Sequence, residues 1–482
     1  MKIIDDILSK LLFDTSKRLT IVFDSRGVLL RTDFKLALEE YGTVAIETGD
    51  LLRLRIACES IYSTGLQNRL VFVLRDAHVH IMPDILERAT TMHFDLNDFC
   101  KWYNIEKLLQ FSLDEIDYCY QHRAIYNYSS EETAQVVQKY RESESYKDNV
   151  IRSILAQWNQ LFANVVFTDL RWLPSAADII RQAISADCYH LLEDQIDHLN
   201  ENFQAYLKQN YNAIATSSLS RVSPRIVSQV LPFIHAQNVD KKALIVVDGM
   251  NIWQSAILIE KLFANRKNKI LNSYTYSWIP SVTDLSRQAI FKGTTPNEDY
   301  VQNPTNECKL FEDFLVRRRH IPQFQVRYMH GTMDENLEHV TWLAYVDTTL
   351  DDAMHSAQHN GFLLDDTIRW ANELQDEIEL LLNKGFTIYI TSDHGNVYTR
   401  PYKRLSQAER VGSDGTYRYI TLPQQASKTQ FMEDHYGHVM QLNPNSSTFF
   451  PVKNLAFSNK SSITHGGTHF LEVLVPFITL SR

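Results

Sequence analysis

The sequence predicts an α/β protein interrupted by an all-helical stretch. Three observations predict it. Short buried-type apolar runs alternate with helix-length amphipathic segments over residues 1–94 and again over 239–482, which is the spacing of parallel βα units. Between them, residues 95–238 carry apolar positions at a period near 3.6 and lack strand-like runs. The length of 482 residues allows about two to four domains. The expected organisation is a small N-terminal α/β domain over 1–94, a helical middle domain over 95–238 and a C-terminal α/β domain over 239–482.

The elements follow in order. LTIVFD at 19–24 reads as a buried strand, and Asp24-Ser25-Arg26-Gly27 as its turn. A helix over Thr32–Tyr41, a strand over Val44–Thr48, a helix over Asp50–Ser60 and the strand RLVFVL at 69–74 complete the first unit, which closes near residue 90. LNDFCKWYNIEKLLQF, EETAQVVQKYRES, DNVIRSILAQWNQLF, SAADIIRQAISADCYHLLEDQIDHLNENFQAYLKQ and SPRIVSQVLPFIHAQ are the helices of the middle region. From Lys241 alternation returns. A strand over Ala243–Val247 and a helix over Asn251–Phe263 come first, then strand-like runs at 272–278, 324–329, 341–346, 386–391 and 473–480. A long amphipathic helix fits Leu363–Asn383, with Gly385 as its stop signal.

Composition narrows the function classes. Charged residues at 22% and hydrophobic ones at 44% exclude a disordered, collagen-like or coiled-coil chain. The net charge is −10, so a protein that coats DNA is not expected, although a local basic groove is compatible with it. The acid is uneven: residues 1–240 carry 24 basic and 32 acidic side chains, residues 241–482 carry 24 and 26. The acids of the middle region read as solvated helix faces. Five widely spaced cysteines (Cys58, Cys100, Cys119, Cys188 and Cys308) with no CxxC pair exclude a disulfide framework and a zinc ribbon, and fit reduced thiols in a cytoplasmic protein. The N-terminus has acids inside its apolar stretch and lacks a signal peptide's features. No window approaches 18 uncharged apolar residues, so no membrane span or membrane partner is expected.

Chemistry-bearing residues gather where C-terminal strands end. Ligands of open α/β sheets bind outside the carboxyl ends of the strands, so residues distant in sequence can converge there. ALIVVDGMN ends a strand at Asp248, a cation-binding position or an ordinary Asp-Gly turn. YSWIPSVTDLSR brings Ser281, Thr283 and Ser286 after Pro280, as helix caps or as hydroxyl nucleophiles beside a metal. In YVDTTLDDAMH, Asp351 and His355 share one helix face, a spacing that suits Zn²⁺ or Mn²⁺. Asp347 and Asp352 are rivals to Asp351, and His359 lies a turn further on. FTIYITSDHGN pins Asp393 and His394 at a strand tip before Gly395, a charge and an imidazole where packing alone would not put them. ITHGGTHFLEVLVPFITL adds His465 before a Gly-Gly turn, with His469 as a second candidate. Six ligands, a hydroxyl and two glycine turns make the inventory of a two-metal phosphoryl-transfer site, its ions about 3.5–4 Å apart.

In this order the motifs resemble the alkaline phosphatase superfamily. Their wording is similar to the PglZ domain: the strand-DGM opening, PSVTDLSRQAIFKG, the TSDHG tip and the THGG…LEVLVPF ending, over about residues 240–482. The first two regions resemble, more loosely, the front part of full-length PglZ proteins. The resemblance implies an alkaline-phosphatase-like α/β/α sandwich for the C-terminal domain. It also implies two zinc ions, with Mn²⁺ as the alternative. One ion would take Asp248, the nucleophile, Asp393 and His394; the other would take Asp351, His355 and His465. The nucleophile falls on Ser281, where such families often have Thr, with Thr283 as the fallback. His469 stands where relatives more often show a small residue. Arg287 is a candidate phosphate contact or a surface salt bridge.

The implied activity is metal-dependent phosphoesterase action, favouring nucleotide or nucleic-acid phosphodiesters, in bacteriophage-exclusion (BREX) defence beside other proteins of the system. The alternative is a metal-bound scaffold subunit with little catalysis. A phosphomutase is disfavoured, because only 66 positions separate Ser281 from Asp347, too few for its large insertion. A phosphodiester preference follows from the few cations near the motifs, Arg287 and Lys292, since a diester carries less charge than a monoester. Arg317-Arg318-Arg319 and Lys403-Arg404 are candidate backbone-tracking patches or solvated surface.

Overall fold

A computed structural model describes residues 2–482 apart from 15, 64–68, 77, 123–125, 264–268, 298, 335, 357–359, 406–416, 423–431, 433 and 444–446, and apart from the side chains of 355, 356 and 362. The chain forms two compact units, Met1–Asn149 and Val150–Arg482.

In the first unit, β1 (Leu19–Phe23), β2 (Val44–Thr48), β3 (Arg69–Leu74) and β4 (Ala89–His93) form a parallel sheet in the order β2-β3-β1-β4. Side chains alternate between two cores because successive strand residues face opposite ways. Val22, Val71 and Val73 join Ile7, Phe34, Leu38, Ile116 and Val137, whereas Ile21, Phe72 and Leu74 join Leu54, Cys58 and Ile85. Helices at Leu113–Gln121 and Ser130–Arg141 begin with capping boxes, Ser112 with Glu115 and Ser129 with Glu132.

The expected helical middle domain is divided between the two units. Its first helices pack into the N-terminal core, and those after residue 150 pack into the core of the second unit. The physical reason is amphipathicity: each helix has one apolar stripe, and that stripe is used against a sheet-bearing core. The Leu173–Ser185 helix, for example, lays Ile179, Ile180, Ala183 and Ile184 into the same core as the C-terminal strands.

The second unit contains, in chain order, β5 (Lys242–Val247), β6 (Lys269–Tyr276), β7 (Val326–His330), β8 (Trp342–Asp347) and β9 (Thr387–Ser392), then the short β10 (Val397–Pro401), β11 (Ile420–Thr421), β12 (Val439–Met440), β13 (Thr448–Pro451), β14 (Leu455–Ala456) and β15 (Ser462–Thr464), and finally β16 (Leu474–Ser481). The main sheet has the order β6-β16-β9-β5-β8-β7. β9, β5, β8 and β7 are parallel, and β16 runs antiparallel to β9 and β6. β5 and β8 are buried at every residue, so both faces of this α/β/α sandwich are covered. Topology positions the site. The carboxyl ends of β5, β8, β9 and β6 lie at the end where β16 begins, so the loop entering β16 joins the loops leaving the others.

β10–β15 make two small three-stranded sheets between β9 and β16. The sequence reading has no strands there, because elements of two to five residues show no period-2 pattern. Among the described residues, no helix is long and apolar enough to cross a membrane.

Candidate metal centre

β5 delivers Asp248, whose backbone N–H donates to the Asp347 carbonyl at 2.8 Å. Gly249 follows in the left-handed region, φ +70°. A Cβ there would lie 3.3 Å from Asp351 Oδ1 and 3.7 Å from His394 Cε1, so this turn is where side chains from two other loops converge. Gly249 N–H donates to Asp393 Oδ1 at 3.1 Å, Met250 N–H to Ser392 Oγ at 2.9 Å, and Asn396 Nδ2 to the Gly249 carbonyl at 2.8 Å. Asn251 Nδ2 returns to the Asn396 carbonyl at 2.5 Å. The two turns, DGMN and DHGN, are thus locked by the asparagine that ends each. That shared ending was readable in the sequence and was missed.

The histidines are held in one tautomer. Nδ1 of His394 lies 3.0 Å from the Gly395 carbonyl, and Nδ1 of His465 lies 3.1 Å from the Ser281 carbonyl. A carbonyl only accepts, so each Nδ1 carries a proton and Nε2 is the ring atom left to face the cluster, as in metal-ligating imidazoles. The rings stack at 3.9 Å and 9°. Burial, and then His394, push the His465 pKa down to about 4, so its ring is neutral. Ligand atoms of Asp248, Asp393 and His394 lie within 4.8 Å of one another, and so do those of Asp351, His394 and His465. His394 belongs to both clusters.

Arg287 is buried in this centre, not on the surface. It faces Asp248 Oδ2 at 3.3 Å, Glu307 Oε1 at 3.1 Å and Asp393 Oδ2 at 3.6 Å. Glu307, fully buried on the Pro304–Glu312 helix and also bonded by Tyr328 Oη, escaped the sequence reading. One guanidinium therefore faces three carboxylates, with Asp351 nearby. Burial raises the pKa of Asp248 and of Asp393, and Arg287 opposes the rise in each. Asp248 Oδ1 and Asp393 Oδ2 are buried and receive no hydrogen bond. Surplus carboxylate, acceptor oxygens without donors and imidazole Nε2 atoms facing them fit a divalent cation of the zinc or manganese type.

The structure separates the two hydroxyls. Ser281 is fully buried; its Oγ donates to the Gly467 carbonyl at 3.0 Å and accepts from Gly466 N–H at 3.2 Å. The sequence expectation makes Ser281 the nucleophile; in the structure its oxygen is engaged by the Gly466-Gly467 turn. Thr283, partly exposed at the start of the Thr283–Lys292 helix, has Oγ1 3.0 Å from His394 Nε2. Ser286 Oγ accepts from Trp278 N–H at 3.2 Å and pins that helix to the strand exit.

Among the rival acids, Asp347 is consumed structurally. It accepts from Thr349 N–H at 3.0 Å and Trp370 Nε1 at 2.6 Å. Asp352 is exposed, and only Asp351 reaches the centre. The backbone of His355 lies in the Thr349–Ser356 helix, but its side chain, like all of His359, lies outside the described residues. His469 is buried away from the centre, its Nδ1 accepting from Leu471 N–H at 3.1 Å. Lys292 is turned to its own loop, onto the Thr295 carbonyl at 2.8 Å. Arg317 and Arg318 pair with Asp313, and Lys403 lies over Tyr436.

A buried α/β sheet with carboxylates, imidazoles and a hydroxyl gathered at one end defines an alkaline-phosphatase-like hydrolase domain. Residues 226–480 match the model of the BREX system PglZ alkaline phosphatase-like domain, more than half of the chain, and the protein belongs to the PglZ family. That membership supports a phosphoesterase-type function. Similar solved structures include phosphonoacetate hydrolase from Sinorhizobium meliloti 1021, at 12% identity and TM-score 0.35 over 50% of this chain and 90% of that one. Murine ectonucleotide pyrophosphatase/phosphodiesterase 5 is similar at 12% identity and TM-score 0.34, over 50% and 87%. No curated protein matches.

Proposed function

We propose that this protein is a two-metal phosphodiesterase acting on nucleotide or nucleic-acid substrates in bacteriophage defence, with Thr283 as nucleophile. The observation that carries the reading is the 3.0 Å approach of Thr283 Oγ1 to His394 Nε2, the imidazole common to both ligand clusters. Asp248, Asp393 and His394 would hold one ion; Asp351 and His465, with His355 as the expected further ligand, would hold the other. When bound, zinc or manganese ions there would lower the pKa of a hydroxyl and offset charge on the phosphoryl group. Thr283 presents the attacking oxygen from the first turn of a helix, where free backbone N–H groups favour an anion. Arg287, fixed by Glu307, keeps Asp248 and Asp393 oriented and favours their ionised forms.

The charge near Thr283 supports a diester. Arg287 is already shared among three carboxylates, and Lys292 faces its own loop. A monoanionic diester needs less compensation there than a dianionic monoester. The family's place in BREX systems supports a role in phage defence alongside other proteins of the system. Five free cysteines, four of them buried, support a reducing, cytoplasmic setting.

The test compares kcat/KM for aryl phosphodiester and aryl phosphate with Zn²⁺ or Mn²⁺ added. A preference for the monoester would refute the diester assignment; absence of both activities in metal-loaded protein would favour a scaffold subunit. Thr283→Ala is expected to lose on the order of 10³-fold or more in kcat. Ser281→Ala should retain measurable turnover. The reverse ranking would return the nucleophile to Ser281.

A further inference from the structure

Glu472 lies outside both ligand clusters, fully buried in the short Phe470–Val473 helix that leads into β16. It nevertheless touches the turns that carry both histidines. Its main-chain carbonyl accepts from Gly395 N–H at 2.9 Å, in the turn of His394. Its side chain accepts from Gly467 N–H at 3.0 Å and His469 N–H at 3.1 Å, in the turn of His465. Arg418, also fully buried, closes the arrangement from the segment between β9 and β16. It donates from Nε to Oε1 at 2.9 Å and from Nη2 to Oε2 at 2.7 Å, a two-pronged pair that fixes the carboxylate's orientation. The packing leaves no slack. A Cβ on Gly467 would lie 2.7 Å from both Arg418 Nη2 and Glu472 Oε2, and one on Gly395 would lie 2.0 Å from the Leu471 carbonyl.

From Glu472 the contacts run on to the imidazole. Gly467 and Gly466 hold Ser281 Oγ, and the Ser281 carbonyl accepts from His465 Nδ1. We propose that Arg418 and Glu472 are positioning residues that set His465 against His394 and so assemble the Asp351–His394–His465 cluster. A buried ion pair adds little net stability over apolar packing, whereas partners behind a metal ligand govern how tightly the metal is held. The proposal rests on reading the two clusters as metal sites.

The test titrates metal-free protein with Zn²⁺ by calorimetry, alongside its melting temperature in EDTA. Wild type is expected to bind two ions. Glu472→Gln keeps the main-chain bond to Gly395, so it should bind one ion within about threefold of wild type and the other about 10–100-fold more weakly. Arg418→Lys, which keeps the charge and loses the fork, should show the same selectivity to a smaller degree and stands in if Glu472→Gln does not fold. Two ions bound as in wild type would overturn the proposal. So would equal weakening of both ions together with a lower melting temperature in EDTA, the mark of a role in folding alone. Fewer than two ions in wild type would refute the metal reading instead. The positioning claim would then be read from the His465 Nδ1–H resonance, which the bond to Ser281 protects. Loss of that protection in Glu472→Gln supports positioning, and an unchanged signal refutes it.

Discussion

β1 and β5 are both interior, buried, parallel strands that end in a buried aspartate, and each is followed by a glycine with positive φ, Gly27 and Gly249. The fate of the two carboxylates differs. After Asp24 the chain curls into the short Val28–Leu30 turn, which returns Gly27 N–H to Oδ1 at 2.9 Å and Leu29 N–H to Oδ2 at 2.8 Å. After Asp248 the loop gives its N–H groups away, Gly249 to Asp393 and Met250 to Ser392. Asp248 Oδ1 is left without a donor. A strand-tip aspartate is thus structural when its own loop satisfies it and available for chemistry when that loop serves another strand.

The largest effect that would break this comparison is on turnover. Asp248→Asn should lower metal-dependent kcat/KM on the order of 10³-fold or more, as loss of a metal ligand. Asp24→Asn should leave it within about twofold. Equal losses in the two variants would mean that the first strand tip also takes part in function.

Stability should move the other way. Asp24→Ala strands two buried N–H groups and should cost about 2 kcal/mol in denaturant unfolding. Asp248→Asn should stabilise the metal-free protein near neutral pH. Burial, then Asp393, push the Asp248 carboxyl up to about 7, against Arg287 and His394. An acid whose folded pKa is raised binds its proton more readily folded than unfolded, so its contribution is fullest below the unfolded value near 4 and is lost as pH rises to the folded one. The variant's advantage in EDTA should therefore be absent at pH 4 and grow towards pH 7, to on the order of 4 kcal/mol at most. The depressed His465 pulls stability upward with pH over about 4 to 6.5 in both proteins, and loss of the Asp248 charge, which supports its protonation, adds to the difference in the same direction. An advantage that is flat with pH would mean that Asp248 is ionised throughout.

Much of this was legible in the sequence, for reasons that also explain what was not. β5, β8 and β9 are buried on both faces, and such strands read as unbroken apolar runs. The residues at their ends, Asp248, Asp393 and His394, stand out because a charge follows a core segment. Asp351 could not be chosen over Asp347 and Asp352 by spacing, since the choice depends on Trp370 and Thr349 occupying Asp347. Ser281 and Thr283 are both small hydroxyl residues after Pro280. Only the fold shows that the Gly466-Gly467 turn takes one and His394 meets the other. Glu307, Arg418 and Glu472 were illegible for a shared reason: each is an isolated charge on an ordinary segment, made functional by a partner distant in the chain.

The smallest effect sharpens the comparison at its glycines. Gly27 and Gly249 have φ of +68° and +70°, so alanine at either should cost about 1 kcal/mol in backbone strain. Their surroundings then separate them. A Cβ at Gly27 meets the guanidinium of Arg75 at 2.7 Å, the far end of a flexible side chain that can swing aside. A Cβ at Gly249 meets Asp351 Oδ1 at 3.3 Å, a proposed ligand that cannot move without leaving its cluster. Gly27→Ala should therefore lower stability alone. Gly249→Ala should lower stability by a similar amount and also weaken binding of one Zn²⁺ ion by about tenfold, read by calorimetry on the two variants side by side. Unchanged zinc affinity in Gly249→Ala would place Asp351 outside the metal's coordination, and with it the distinction between the two strand tips would rest on Asp248 alone.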